Sequence, residues 1–338
     1  MTDEVILQVK DLRTYFYTDA GVVKAVDGLT FDLHKGETLG LVGESGSGKS
    51  VTNLSVIKLI QTPPGKIEGG EVLFNGEDLL KMSDAHLREI RGDRIAMIFQ
   101  DPMSSLNPYL RISTQMIETI CLHQGLNKKA AKEKAIEMLK LTGIPAAEKR
   151  IDGYPHQFSG GMRQRVMIAM GLSCNPDILI ADEPTSALDV TIQAQILDLM
   201  QDLTHRLGTA VILITHSLGV VAGVCDTIVV MYAGRIVERG TTEDIFYDTK
   251  HPYTQGLIKS VPRLDRDDEG RLFSIKGQPP NVVDLPDCCP FYPRCHKALP
   301  VCKNRYPPVV RFSDTHCAAC WLYAQKDGGT FTAEDTTK

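Results

Sequence analysis

The sequence predicts an α/β fold in which a parallel sheet alternates with crossover helices. Three observations carry this. Short, β-branched apolar runs recur at Thr38–Val42, Ile178–Ile180, Val211–Ile214 and Thr227–Met231, and such runs read as buried strands. Between the second and third, Ile192, Ile196, Leu199, Met200, Leu203 and Leu207 recur at helical spacing. Strand, helix and strand therefore follow one another as a crossover requires. The run Thr38–Val42 also leads straight into the glycine-rich stretch Gly43–Ser50, with a helix expected from Lys49.

The other elements follow in order. Residues 5–43 read as strands, with Ile6-Leu7-Gln8-Val9 alternating. Glu71–Phe74 is a strand closed by the turn residues Asn75-Gly76. Arg94–Phe99 is another, ending at Gln100. From about 108 to 175 the pattern turns helical, Ala130–Leu139 being one example, and predicts a separate helical subdomain. Leu264–Gly270 reads as a charged linker, the stretch to about 323 is rich in proline and cysteine, and Lys326 onward reads as disordered.

Length and charge bound the function. The 338 residues suggest two or three structural units at ~100–200 residues each. The formal charge of −5, from 37 basic and 42 acidic residues, argues against a nucleic-acid binder held by bulk positive charge. No run approaches the ~20 apolar residues that span a bilayer, and Met1-Thr2-Asp3-Glu4 lacks an apolar signal region. The expectation is a cytosolic chain whose membrane association comes through a partner. Six of nine cysteines, Cys288, Cys289, Cys295, Cys302, Cys317 and Cys320, crowd the last fifth of the chain. In a reducing cytosol that crowding suggests metal or redox chemistry before disulfides.

Gly43-Glu44-Ser45-Gly46-Ser47-Gly48-Lys49-Ser50 fits G-x-x-x-x-G-K-[S/T] between a strand and a helix. Glycines let backbone N–H groups turn inward around phosphates, Lys49 brings positive charge to the terminal phosphates, and the Ser50 hydroxyl can ligate Mg²⁺. The helix N-terminus adds partial positive charge. The acidic partner is Ile178–Glu183: Asp182 ends an apolar strand where it can bind Mg²⁺, and Glu183 is placed to polarise an attacking water. Alone, Asp182-Glu183 is an ordinary strand end. Beside the loop it reads as a catalytic pair.

Phe158-Ser159-Gly160-Gly161-Met162-Arg163-Gln164-Arg165 resembles the signature sequence of ATP-binding-cassette ATPases. Gln100 resembles the family's Q-loop glutamine, Ser186-Ala187-Leu188-Asp189 its D-loop, and Thr215-His216 its switch histidine. Phe16, flanked by Tyr15 and Tyr17, stands where the family has an aromatic that stacks on adenine. The resemblance implies ATP and Mg²⁺ as cofactors. It assigns catalysis to Glu183, His216, Gln100 and Lys49, and Mg²⁺ to Ser50, Gln100 and Asp182. Nucleotide contacts fall to Phe16, Gly43, Ser45, Gly46, Gly48, Lys49, Ser50, Val51, Gln100 and Asp182, with Ser159, Gly160, Gly161, Gln164 and Asp189 serving a site completed by an opposing subunit.

Gln100–Pro108, His251-Pro252-Tyr253-Thr254 and the cysteine tail narrow the resemblance to ATPases of dipeptide and oligopeptide permeases, the D-type subunit of a peptide or nickel importer. That implies a P-loop core with an antiparallel β subdomain (1–107 and 176–263), a helical signature subdomain (108–175), a Cys-rich extension (264–323) and a disordered tail (324–338). It further implies a peripheral ATPase on the cytoplasmic face of the cell membrane. The implied partners are a related second ATPase in a heterodimer, two membrane permease subunits and an extracytoplasmic peptide-binding protein, with no nucleic acid. A nickel-chelate importer is the near alternative. A soluble cassette ATPase is the distant one, and it would usually carry two cassettes or a long coiled coil.

Cys289, Cys295, Cys302 and Cys320 are spaced C-x5-C-x6-C-x17-C. Four such thiolates can hold a [4Fe–4S] cluster or tetrahedral Zn²⁺. The gaps lack the paired C-x2-C knuckles of structural zinc, and the family resemblance implies the cluster. Cys288 stands where the family usually has glycine, and Cys317 is extra, so the fourth ligand stays open. One departure lies beside the switch histidine, where Ser217 replaces the family's usual acidic residue. The expected effect is on local loop contacts more than on hydrolysis: Ser217→Asp should leave steady-state ATP turnover within about twofold of the parent, and a several-fold rise would contradict this reading.

Overall fold

The computed structural model describes residues 4–101, 105–186, 188–261, 274–326 and 329–330. They divide into two compact units. The first is formed chiefly by Asp78–Ile214; the second by Leu7–Asp32, Leu39–Glu77 and the residues from Thr215 onward. The strands, in chain order, are β1 (Val5–Thr18), β2 (Gly21–His34), β3 (Thr38–Val42), β4 (Gly65–Phe74), β5 (Glu77–Asp78), β6 (Ile95–Ile98), β7 (Ile178–Asp182), β8 (Ala210–Thr215), β9 (Thr227–Tyr232), β10 (Arg235–Thr241), β11 (Val309–Arg311), β12 (Cys317–Ala319), β13 (Gln325–Lys326) and β14 (Gly329–Thr330).

In the first unit β6, β7 and β8 run parallel, with Ile95 opposite Ile178 and Ile178 opposite Ala210. All five residues of β7 are buried, as a central strand covered on both faces requires. The helices Ile112–Gln124, Lys128–Leu141 and Gly160–Leu172 confirm the helical stretch expected there. Asn127 caps the second, its side chain accepting from the N–H groups of Lys129 and Ala130. The crossover helix Val190–Leu207 is rotated from the expected face. It buries Ile196, Leu197, Met200, Leu203 and Thr204, an i, i+1, i+4, i+7, i+8 stripe centred toward Leu197. Ile192 and Leu199 fall at the edge of that stripe, and Leu207, the last helical residue, is 40% exposed.

The second unit holds an antiparallel sheet with strand order β2-β1-β4-β5 and, separately, the strands β11-β12-β10-β9-β3 in that order. β3 runs parallel to β9, with Leu39 opposite Thr227, while β10 and β12 continue antiparallel. The cysteine-rich tail thus contributes two strands that the sequence reading did not assign. At three residues each they are too short to leave an alternation pattern in the sequence. Glu238 of β10 secures them. It is fully buried, and its carboxylate accepts from Lys250 N (2.6 Å), His251 N (3.0 Å) and His316 Nε2 (3.0 Å). Three donors on one buried carboxylate meet the condition for keeping such a group inside a fold.

The linker Leu264–Gly270 lies outside the described residues. Of the tail expected to be disordered, β13 and β14 pair with Gln325 opposite Thr330; the segment beyond Thr330 lies outside the described residues. Among those described, no helix is long and apolar enough to cross a membrane.

His251 links the tail to the helix Pro252–Lys259, which it caps through Nδ1, the acceptor of the Tyr253 N–H at 3.1 Å. It is buried, and burial lowers its pKa to about 4, partly opposed by Glu238. The unfolded chain binds a proton near pH ~6.5 and the folded chain only near 4, so stability falls as pH drops through that window and is untouched above it. Asn at this position keeps the cap acceptor without titrating. Chemical denaturation at pH 6.5 and pH 5 should show the parent losing roughly 2 kcal/mol more than His251→Asn; equal losses would refute the buried-neutral assignment.

Candidate functional site

The glycine loop opens in the second unit, where β3 ends at Val42 and a helix begins at Lys49. Gly48 sits at φ +102°, and a Cβ there would lie 2.1 Å from Ala25 O. Gly43 is closed off too, a Cβ there lying 2.3 Å from Met231 O. The loop is therefore pressed against β2 and β9, and no other residue fits at either position. Lys49 Nζ donates to Gly43 O (2.7 Å) and Glu44 O (3.0 Å), which holds its charge over the loop. The hydroxyl of Ser47 is buried with no partner among the described residues, an orphan that a phosphate oxygen would satisfy. Ser45, Gly46 and Ser50 are exposed, and Val51 is half-buried in the first turn of the helix.

The aromatic trio sorts itself by strand alternation. Tyr15 Oη donates to Asp27 Oδ1 (2.7 Å) and Tyr17 Oη to Glu68 Oε1 (2.6 Å). Phe16 projects from the opposite face of β1, across from Gly65, where a Cβ would lie 2.8 Å from Phe16 Cε1. Phe16 is thus the ring of the three that carries no phenol tether. His216 is exposed just past β8, beside Thr215, whose Oγ1 accepts from the Ser217 N–H (3.0 Å).

In the first unit Asp182 closes β7, 7% exposed. Glu183 follows at φ +46°, a left-handed backbone that costs a non-glycine residue about 1 kcal/mol or more. Its N–H donates to Ile214 O (3.0 Å), its Oε2 accepts from Gln100 Nε2 (3.0 Å), and its carbonyl accepts from Ser186 N and Oγ (both 3.2 Å). The glutamine expected beside the metal and the glutamate expected to activate water are therefore in direct contact. β6 ends two residues before Gln100, at Ile98. Pro102, Met103, Ser104 and Ala187 lie outside the described residues.

Ser159 caps the helix Gly160–Leu172, its Oγ accepting from Met162 N (3.4 Å). A Cβ on Gly161 would stand 3.2 Å from Ile192 Cγ2 and one on Gly160 3.6 Å from Leu188 Cδ2. The glycines therefore let the helix start lie close to the segment around Asp189, the cap residue of Val190–Leu207. Gln164 is 1% exposed, with Nε2 unpaired among the described residues. This helix start carries no acidic residue in its first turn, which leaves its partial positive charge available to an anion.

Cys289, Cys302 and Cys320 are buried and Cys295 half-buried. Burial pushes all four thiols up, Cys289 to about 12 and Cys320 to about 11, and Cys289 senses Cys302, Cys320 and Cys295 electrostatically. Such thiols ionise only beside a cation. Among the described residues, however, no group of three or more His, Cys, Asp or Glu side chains is drawn close enough to hold a metal ion. The donor chemistry suits a metal group, while the side chains are not gathered into a ready cage. Cys317 instead faces Arg239 and Arg311 across the strands, and Cys288 senses Asp287 and Arg235.

Two residues of this region escaped the sequence reading. Glu44, an unspecified position of the loop motif, forms a two-bond ion pair with Arg294, 250 residues away. The only signal was the placement of Arg294 inside the cysteine motif.

Comparison with known proteins agrees with this geometry. Residues 26–186 match the ABC transporter family model and residues 237–302 the oligopeptide/dipeptide transporter C-terminal region. The chain is 52% identical over 317 residues to the oligopeptide transport ATP-binding protein OppD of Bacillus subtilis, covering 94% of this chain and 88% of that protein. It is 51% identical to the dipeptide transport ATP-binding protein DppD of the same organism, covering 96% of each. Among solved structures, the dimeric ATP-binding cassette MJ0796 bound to ADP and phosphate superposes with a TM-score of 0.63 at 26% identity, over 70% of this chain and 98% of that one. The chain belongs to the ABC transporter ATPases, in the branch of the oligopeptide and dipeptide transport ATP-binding proteins.

Proposed function

We propose that the chain couples ATP hydrolysis to uptake of dipeptides or oligopeptides as the ATPase subunit of a membrane importer. The observation that carries this is the pairing of a full cassette core with a peptide-transporter C-terminal region in one chain. As an ABC ATPase it uses ATP with Mg²⁺.

The residues divide the work. Loop amides and Lys49 bind the phosphates and Phe16 the adenine. Ser50, Asp182 and Gln100 would hold Mg²⁺, whose charge draws density from the leaving phosphates. Glu183, oriented by Gln100, accepts the proton of the attacking water, and His216 steadies the γ-phosphate. Ser159-Gly160-Gly161 and Asp189 serve nucleotide on an opposing, related ATPase chain, so that ATP binding closes a heterodimer and hydrolysis lets it reopen. The segment near Gln100–Pro108 receives a short helix from a membrane permease, holding this chain at the cytoplasmic face, and a binding protein outside delivers the peptide. Cys289, Cys295, Cys302 and Cys320 would hold a [4Fe–4S] cluster, and its role would be structural, since ATP hydrolysis needs no electrons.

Glu183→Gln should lower ATP turnover by ~10²-fold or more while nucleotide affinity, measured by titration, stays within about twofold. Turnover that survives the change would remove Glu183 from the role of base. Protein purified without oxygen should carry about four iron and four sulfide per chain. Zinc in their place would assign the cysteines to the alternative metal, and neither would leave them as unligated thiols. Affinity purification of the chain from membranes should bring two polytopic membrane proteins; ribosomal or nucleic-acid partners would favour a soluble cassette ATPase.

A further inference from the structure

The guanidinium of Arg294 is held unusually completely. Its side chain is 5% exposed. Nη1 donates to Glu44 Oε2 (2.6 Å) and Tyr232 Oη (3.2 Å), Nη2 to Glu44 Oε1 (2.9 Å) and Ile275 O (3.4 Å), and Nε to Lys276 O (3.2 Å). All five donors thus have an acceptor, in the planar fork that fits a carboxylate with two bonds. The rings of Tyr232 and Phe291 flank the charge at 5.9 and 6.0 Å. Tyr253 stacks into the same cluster, 4.6 Å from Tyr232 and 5.4 Å from Phe291.

What this arrangement grips is the phosphate loop. The Glu44 carboxylate is taken by Arg294, the Glu44 N–H donates to Tyr253 Oη (2.8 Å), and the Glu44 carbonyl accepts from Lys49 Nζ (3.0 Å). One loop residue is therefore fixed at three points, two from beyond residue 250 and one from the phosphate-binding lysine. The tail touches the loop a second time: Pro279, Pro280 and Val282 line a small cleft whose other wall is Glu44–Ser47. It also touches β2, where Asp284 Oδ1 accepts from Val22 N (3.1 Å).

We propose that Arg294 is a positioning residue for ATP binding: the cysteine-rich extension uses its guanidinium, through Glu44, to preset the phosphate loop and the Lys49 ammonium. Arg294 touches no phosphate itself. A loop whose amides must converge on an anion gains affinity from every contact that fixes it beforehand. A guanidinium one residue before Cys295 ties that presetting to the order of the cysteine tail. This inference rests on the assignment of Gly43–Ser50 to the phosphates, and the test separates the two.

The test uses the full chain, with a fluorescent ATP analogue for affinity and steady-state hydrolysis for KM and kcat, on Arg294→Ala, Arg294→Lys, Glu44→Gln, the Arg294→Ala/Glu44→Gln pair and Lys49→Ala. The expected result is about tenfold weaker nucleotide binding and a matching rise in KM for Arg294→Ala, with kcat within about twofold. Arg294→Lys should recover part of the loss, and the double variant should bind no more weakly than the worse single one. Arg294→Lys and Glu44→Gln carry the test if Arg294→Ala does not fold. Nucleotide affinity within twofold of the parent in all folded clamp variants, or losses that simply add, would overturn the proposal. Lys49→Ala losing no affinity would instead overturn the loop assignment.

Discussion

Everything in the proposed nucleotide site depends on one backbone constraint. A loop that turns its N–H groups toward an anion has no room for side chains where it presses on its supports. Gly48 against Ala25 O and Gly43 against Met231 O are the two places where this chain meets that limit. β3 feeds the loop, β9 runs beside β3 with Val42 opposite Val230, and β2 carries Ala25. The parallel pairing and the antiparallel hairpin strand are thus both supports for eight residues of loop. Lys49 brings the loop its positive charge, and the Arg294–Glu44 ion pair holds the loop in place.

A comparable logic holds in the first unit. Glu183 sits in a left-handed backbone with its N–H on Ile214 O and its carboxylate on Gln100. Strain of that kind persists only where neighbours over-determine it. Here the neighbours are a fully buried parallel strand pair, β7 and β8, and a glutamine that follows β6. The helix start at Gly160-Gly161 lies close to the cap region of the next helix, and a bulkier residue at Gly161 would meet Ile192. The residues proposed for catalysis and for the signature thus stand at the ends of rigid elements, where small displacements are resisted by the core.

What the sequence made legible was whatever chemistry is contiguous. The loop, Asp182-Glu183, the signature Ser159-Gly160-Gly161 and the strand runs each occupy a few adjacent residues, and their residue types allow few other readings. Contacts made across long separations left no local trace. Glu44 and Arg294 are 250 residues apart, and Glu238 meets His316 across 78. β11 and β12 were missed because three residues cannot display a period. The helical face of Val190–Leu207 was misjudged in rotation, since apolar spacing fixes a stripe only to within its width. Phe16 was read as the adenine-stacking ring from its place in the family pattern, and the phenol bonds of its neighbours Tyr15 and Tyr17 show only that those two rings are tied elsewhere.

The central claim is that ATP lies on Gly43–Ser50 and is closed over by the signature helix of an opposing chain. Electron cryomicroscopy of the assembled transporter, carrying Glu183→Gln and supplied with ATP and Mg²⁺, tests it most directly. The account predicts a triphosphate on the loop amides and Lys49, adenine against Phe16, and the partner ATPase's signature segment at the γ-phosphate. A nucleotide bound elsewhere, or a γ-phosphate contacted by this chain alone, would contradict it.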